Sequence, residues 1–236
     1  MLKRLLVLIA LTSIVTSARA DLFLQQQANF GNPSNLITIT IRIHGDKIRQ
    51  DVAGMESGDV SLIKDADTGE SIALMHRQKM FTKPRAKAKD AQSPEAALSK
   101  PLDTGKADFV AGYDAEIYAW AADRKLWNET NGMIETLWVV KAYPDYFKIR
   151  SDLAILDRAN VSFPGKGMQP EISALPGMVV KSRLIVKMGG ILQTIDIKLI
   201  SARQEPVDPS VFEVPGDYKE WTPPQSSGQP APKPDK

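Results

Sequence analysis

Residues Leu36 to His44 read Leu-Ile-Thr-Ile-Thr-Ile-Arg-Ile-His, a strict two-residue alternation. It places Ile37, Ile39, Ile41 and Ile43 on one face and Thr38, Thr40, Arg42 and His44 on the other. A helix would scatter these isoleucines around its axis, so the segment is a strand with one face in a core and the other toward solvent. Gly45-Asp46 supplies a turn into Lys47 to Val52, which makes the pair a β-hairpin. Asp59 to Lys64 and Glu70 to Arg77 form a second apolar pair, joined by Asp65-Ala66-Asp67-Thr68-Gly69, whose Asp and Gly residues suit a tight connection. Four antiparallel strands are therefore expected before residue 82.

The pattern lapses from Lys83 to Gly105 into Pro, Lys, Ser and Ala, with a helical turn at Ser93-Pro94-Glu95, and this stretch is expected to be a mobile insertion. Alternation returns in Tyr113 to Ala122 and β-branched content in Ile134 to Ala142, which stops at Tyr143-Pro144 because proline cannot donate to a ladder. The period then changes. In Tyr146 to Ala159, Phe147, Leu153, Ile155 and Leu156 are interspersed with charges at a spacing that suits an amphipathic helix, with Asp145 as its N-cap. After a Gly/Pro-rich loop from Phe163 to Gly177, Met178 to Met188 and Ile191 to Ile200 flank Gly189-Gly190 as a last hairpin. With no regular βαβ alternation, the expected fold is α+β and mostly β: a curved antiparallel sheet, a half-open barrel, with one main helix packed on or in its concave face.

The N-terminus carries an address. Lys3 and Arg4 precede an apolar run from Leu5 to Val15, and Ala18-Arg19-Ala20 supplies small residues before Asp21, the pattern of a cleavable secretory signal over residues 1–20. The run is too short to span a hydrocarbon core of ~30 Å and nothing comparable follows, so no transmembrane segment is expected in the mature chain, which is placed in the periplasm. The remaining organisation is a lead-in over residues 21–35, one domain over 36–221 containing the insertion 83–105, and a disordered Pro-rich tail over 222–236. The chain has no cysteine, so there is neither a thioacyl anchor nor a disulfide, and stability must come from a packed core.

Composition excludes several function classes. Removing Lys3, Arg4 and Arg19 takes the formal charge from +2 to about −1, which argues against nucleic acid as a partner. The basic run Lys83 to Lys89 reads as a solvated loop. With only His44 and His76 and no cysteine, soft metal sites and the usual nucleophile constellations are nearly excluded, and no HExxH, GxSxG or phosphate-cradling loop is present. His44 reads as a turn-surface histidine. Asp65, Asp67 and Glu70 read as a hairpin tip rather than a calcium loop. The carboxylate pairs Asp145 with Asp152 and Glu205 with Asp208 flank turns and caps. No catalytic residue, metal or cofactor is expected, and the chain is not expected to be an enzyme.

Four segments together resemble a known family: Thr104-Gly105-Lys106 leading to Gly112-Tyr113 and Glu116-Ile117-Tyr118; Leu137-Trp138-Val139 followed by Pro144; Leu175-Pro176-Gly177-Met178-Val179-Val180-Lys181; and Asp208-Pro209-Ser210-Val211-Phe212-Glu213-Val214-Pro215-Gly216-Asp217-Tyr218. The resemblance covers Leu36 to Trp221 and points to an uncharacterised family of exported bacterial domains, known only as a domain of unknown function. That family looks like a relative of the periplasmic lipoprotein carriers LolA and LolB, whose fold is a half-open barrel with a helical lid over an apolar cavity. Many members carry a cysteine soon after the Gly-Tyr pair, where this chain has Asp114 and Ala115. The last motif also reads as a structural latch, with Phe212 and Val214 facing inward and Pro215-Gly216 aiming Tyr218 and Trp221 back at the sheet.

The resemblance implies a carrier of a lipid, an acylated protein or another hydrophobic ligand. The apolar face that would line its cavity comprises Ile37, Ile39, Ile41 and Ile43, Trp138 and Val140, and Leu184, Val186, Ile195, Ile197 and Leu199. The competing expectation is an envelope scaffold with a closed core, in which Gly228 to Pro234, a polyproline-like segment, contacts an envelope protein.

Overall fold

The computed structural model describes residues 21–31, 36–83, 100–121, 132–159, 170–188 and 191–222. Twelve strands form a single sheet: β1 (Leu22–Asn29), β2 (Leu36–His44), β3 (Lys47–Ala53), β4 (Val60–Asp65), β5 (Ser71–Met75), β6 (Met80–Thr82), β7 (Leu102–Val110), β8 (Tyr113–Ala121), β9 (Gly132–Val140), β10 (Met178–Met188), β11 (Ile191–Gln204) and β12 (Lys219–Glu220). Their order is β12-β6-β5-β4-β3-β2-β1-β11-β10-β9-β8-β7. Every neighbouring pair is antiparallel except β12 with β6, and the first and last strands do not meet, so the sheet curves without closing. Among the described residues the one α-helix, α1, runs Tyr146–Ala159, the span its periodicity predicts.

Four strands fall where none was expected: β1, β7 and the short edge strands β6 and β12. The lead-in contains β1, the strand that joins the two halves of the sheet by pairing with β2 on one side and β11 on the other. Its apolar residues Leu22, Leu24 and Ala28 are buried, but Gln25-Gln26-Gln27 between them masks the alternation. The expected insertion ends early, because β7 begins at Leu102; its remaining stretch 84–99 and the helical turn at Ser93 lie outside the described residues. All but one residue of β7 are exposed, so there is no buried face to impose a pattern on its sequence. The segments 1–20, 160–169, 189–190 and 223–236, which carry the expected signal, part of the loop, the Gly-Gly turn and the tail, are likewise outside.

Alpha1 lies on the face of β1, β2 and β3 to which the isoleucines point. Tyr146, Ile149, Leu153 and Ile155 pack against Leu22, Leu24, Ile39, Ile41, Ile43 and Ile48. Cross-strand partners share this face: Leu22 stands opposite Ile43 and Leu24 opposite Ile41. Asp145 precedes the helix with φ 56°, outside the extended region typical of an N-cap, and its carboxylate accepts from Lys148 Nζ at 2.6 Å. The helix is tied down elsewhere. Tyr146 Oη donates to the Leu175 carbonyl at 2.8 Å, Asp157 accepts from the backbone N–H of Ile172 and Ser173 at 3.2 and 2.8 Å, and Arg158 pairs with Asp46 at 2.7 Å. Gly177 makes this docking possible: a Cβ there would stand 2.3 Å from the Val140 carbonyl oxygen, so only glycine lets the chain leave the Leu175 anchor and enter β10.

Candidate functional site

The apolar face covered by α1 does not stop at the helix. Register carries it from β1 onto β11 and β10, where Ala28 opposes Ile197 and Ile195 opposes Leu184. Under α1 the face is sealed, with Ile39 and Ile43 at 1% exposure. At its margin Ile197 and Leu199 are half-buried and pack against the cluster under the helix, and farther on Ile195 is buried while Leu184 and Val186 are half-buried. Nine of the eleven expected lining residues therefore share one continuous face, from Ile37 to Val186.

The other two belong to a neighbouring cluster. Trp138, which alternates along β9 with the partners of Leu184 and Ser182, stands opposite Lys181, while beyond the bulge between Val179 and Lys181 Val140 stands opposite Met178, which packs under α1. Trp138 and Val140 pack with Ala115 and Val180, a cluster that Leu199 also touches, while Trp138 Nε1 donates to Asp108 Oδ2 at 3.1 Å and Lys181 Nζ sits 4.1 Å from the ring centre. The alternation of β9 alone could not say which parity faces α1, because both parities are apolar.

The half-open end of the shared face carries a polar group that sequence reasoning missed. Glu135 lies between Leu184 and Trp120, and its carboxylate is hydrogen-bonded to Ser182, which is itself buried. Burial pushes the Glu135 carboxyl above its ordinary value, against the opposing effect of Ser182. A shallow cleft of about 630 Å³ lies elsewhere, on the outer side of α1, between Phe147, Arg150, Ser151 and Ala154 of the helix and Glu171 and Ser173; none of the eleven expected residues lines it.

On the opposite face of the β2–β5 end, the closing motif is seated as the latch expected of it. A short 3-10 turn, Pro209–Phe212, is capped by Asp208, whose side chain accepts from Ser210 N at 2.9 Å. Phe212 is buried with Ile63, Leu74 and Val207, and Val214 and Tyr218 pack around them. Trp221 is instead 41% exposed.

Beneath the latch the fold assembles a serine and a histidine that the sequence separates. Ser61 Oγ is 2.6 Å from His76 Nε2, and His76 Nδ1 is 2.5 Å from Tyr218 Oη. Asp51 decides the direction of the chain of bonds. Burial acts to raise its pKa, but hydrogen bonds from Ser61 and Arg49 and the charges of Arg49 and Arg42 outweigh that and hold it below the usual carboxylate range. Ser61 therefore donates its proton to the ionised Asp51 at 2.5 Å, while Arg49 Nη2 donates to Ser61 Oγ at 3.1 Å. His76 Nε2 then donates to Ser61, and its Nδ1 meets Tyr218 Oη. A nucleophilic serine needs a histidine that accepts its proton, which is the reverse polarity. The arrangement is a satisfied relay, Tyr218 to His76 to Ser61 to Asp51, and it fastens the latch to the sheet.

The remaining polar candidates resolve as turns. Asp65 Oδ1 accepts from the backbone N–H of Asp67 and Thr68 at 3.0 and 2.8 Å, which is a hairpin tip. His44 Nδ1 lies 2.9 Å from Asp21 Oδ1, tying the strand end to the start of β1. Glu205 pairs with Arg203 at 2.7 Å rather than with Asp208. Among the described residues no group of three or more His, Cys, Asp or Glu is arranged to hold a metal ion, and no helix is long and apolar enough to cross a membrane.

Solved structures similar to this chain include the following three. PNGF-II matches at 10% identity and a TM-score of 0.42 over 86% of this chain and 31% of its own, so the chain spans about a third of that protein's length. An outer membrane lipoprotein-sorting protein domain from Vibrio parahaemolyticus matches at 10% identity and a TM-score of 0.32, covering 83% of this chain and 90% of its own. A DUF1329 family protein from Desulfovibrio piger matches at 9% identity and a TM-score of 0.32, over 82% and 90%. No curated protein matches by sequence. The model of a domain of unknown function, DUF4412, matches residues 29–218, a span that contains all four motifs of the sequence, and the chain belongs to that family.

Proposed function

We propose that this is an exported, non-catalytic binding or carrier protein whose ligand is a lipid, a lipidated protein or another hydrophobic molecule, working in the periplasm after removal of residues 1–20. The domain over 36–221, extended by β1, is the binding unit. The observation that carries this reading is the continuation of one apolar face past α1, where Leu184, Val186, Ile197 and Leu199 remain half-buried on a sheet that curls without closing. Covering each such side chain with an acyl chain is worth up to roughly 1.5–3 kcal/mol, less for the part already buried.

A second reading, an envelope scaffold with a closed core, is favoured by one feature. Ile39, Ile41 and Ile43 are already filled by α1, which is anchored through Tyr146, Asp157 and Arg158. The ligand of the first reading therefore sits beside the helix, on β10 and β11, and not in place of it. Native mass spectrometry of the protein from an exporting host, followed by extraction of bound material, separates the two. A reproducible excess mass assigned to phospholipid, fatty acid or acyl peptide supports the carrier, and Leu184→Lys should abolish uptake of a fluorescent fatty acid while leaving the melting temperature nearly unchanged. A bare mass with no probe uptake supports the scaffold.

A further inference from the structure

The two ends of the sheet are finished differently. The β6 edge is covered by β12, with Trp221 N donating to the Phe81 carbonyl at 2.7 Å, whereas β7 is the outermost strand at the other end and presents Leu102 and Phe109 at 53% and 69% exposure. The tight turn that joins β7 to β8 states which backbone groups of β7 point outward. Ala111 and Gly112 form a two-residue turn with φ 54° and 86°, so Val110 and Tyr113 are a mutually hydrogen-bonded pair. Counting back by alternation, Asp108 and Lys106 face β8, while Phe109 and Ala107 turn their N–H and C=O to the open edge. The side chains agree: Phe109 N is held by Asp108 Oδ1 at 2.8 Å, and Gly105 N, within the bulge between Asp103 and Lys106, is held by Asp103 Oδ1 at 2.8 Å.

We propose that this edge pairs with β7 of a second copy of the chain, antiparallel, about a two-fold axis through Ala107. That register makes Ala107 a hydrogen-bonded pair with its own counterpart, and it brings Phe109 of each copy over Gly105 of the other, where the bulge, with Gly105 at φ 67°, ends the new ladder. It also places Lys106 opposite Asp108 on both sides of the axis, in the closer, non-hydrogen-bonded type of pair. Moving the axis to Lys106 would oppose two lysines, and moving it midway between Gly105 and Lys106 would oppose Asp103 to Asp108. Charge thus selects the Ala107 register over these neighbours. The local caps are exchangeable: when Phe109 N–H turns to the Gly105 carbonyl of the second copy, Asp108 Oδ1 is released toward the incoming Lys106.

The absence of cysteine makes the test direct. In Ala107→Cys the two new thiols would stand on strands whose Cα atoms are about 5.5 Å apart, within the range a disulfide bridges. Mild oxidation should give a covalent dimer as the dominant product, and the unmodified protein should sediment as a concentration-dependent dimer. Lys106→Asp should weaken that dimer by about tenfold or more, since two opposite-charge pairs become like-charge pairs, and K106D combined with Asp108→Lys should restore it. Ala107→Pro is the second arm. It removes only an outward N–H, so the thermal transition should persist while the dimer is lost. A single-chain mass at every accessible concentration with no cross-link, or a dimer that tolerates Ala107→Pro, overturns the proposal.

Discussion

At the β2–β6 end of the sheet α1 covers one face at β2 and β3, the latch covers the other face, and the edge itself is closed by β12. At the β7 end no described strand pairs with the outer edge of the outermost strand, and nearly every side chain of that strand is exposed. The difference teaches where this fold keeps its stability and where it keeps its surface. A charged relay is tolerated under the latch because every donor and acceptor in it is matched; the same charges along β7 are spaced along an edge and discourage indiscriminate pairing.

The contrast is broken most severely by removing a matched aromatic at each end. Phe212→Ala, which empties the buried latch core, should cost about 3–5 kcal/mol in urea unfolding, whereas Phe109→Ala should stay within about 0.5 kcal/mol in the monomer. Next comes Ser61→Ala, which leaves His76 Nε2, Arg49 and Asp51 each short of a partner and should cost about 1–3 kcal/mol; a neutral result would mean that water replaces the hydroxyl and that the relay does not hold the latch. Tyr218→Phe keeps the ring packed against His76 and deletes one hydrogen bond, so about 1 kcal/mol is expected, with faster amide exchange confined to β5, β6 and β12.

The finest discrimination is by pH, because the two ends carry carboxyls shifted in opposite directions. Asp51 is held below its ordinary value of 3.8 by the Ser61 and Arg49 hydrogen bonds and the arginine charges, despite its burial; its contribution is full above that value and is lost as pH falls through its lower folded value. Glu135 is raised above 4.5 by burial, so its contribution is full below that value and is lost as pH rises through its higher folded value. Acid should loosen the latch end, and neutralisation should relax the β8–β10 end. Glu135→Gln should flatten the second dependence and leave the first intact, read from thermal melts followed by tryptophan fluorescence, since Trp120 stands opposite Glu135.

How much was legible in the residues depended on how many faces each element buries. The β2–β3 hairpin, the pair β4 and β5, and α1 were legible because each buries one face or stripe, and a single buried face writes its period into the sequence. The family was legible as well: the four motifs pointed to a domain of unknown function, and DUF4412 is that family. Beta7 was not, since it buries neither face, and β1 was hidden by three glutamines between its buried residues. Of the eleven residues expected to line a cavity, nine follow one face by register, whereas Trp138 and Val140 join the cluster around Ala115 and Val180, because β9 is apolar on both faces and only its ladder with β10 sets its neighbours.

The sequence by itself determined the antiparallel, mostly β class, the position of α1, the seating of the closing motif as a latch and the family, all properties carried by short-range periodicity and turn chemistry. The tertiary structure alone decided the order of the strands, with β1 at the join, and it alone brought Tyr218 to His76 across 142 residues and Arg49 to Val211 across 162. The physical reason is that a strand's pattern records which faces are buried but not by what. Pairing, parity and the partners of a buried polar group are settled only when the whole ladder has closed around them.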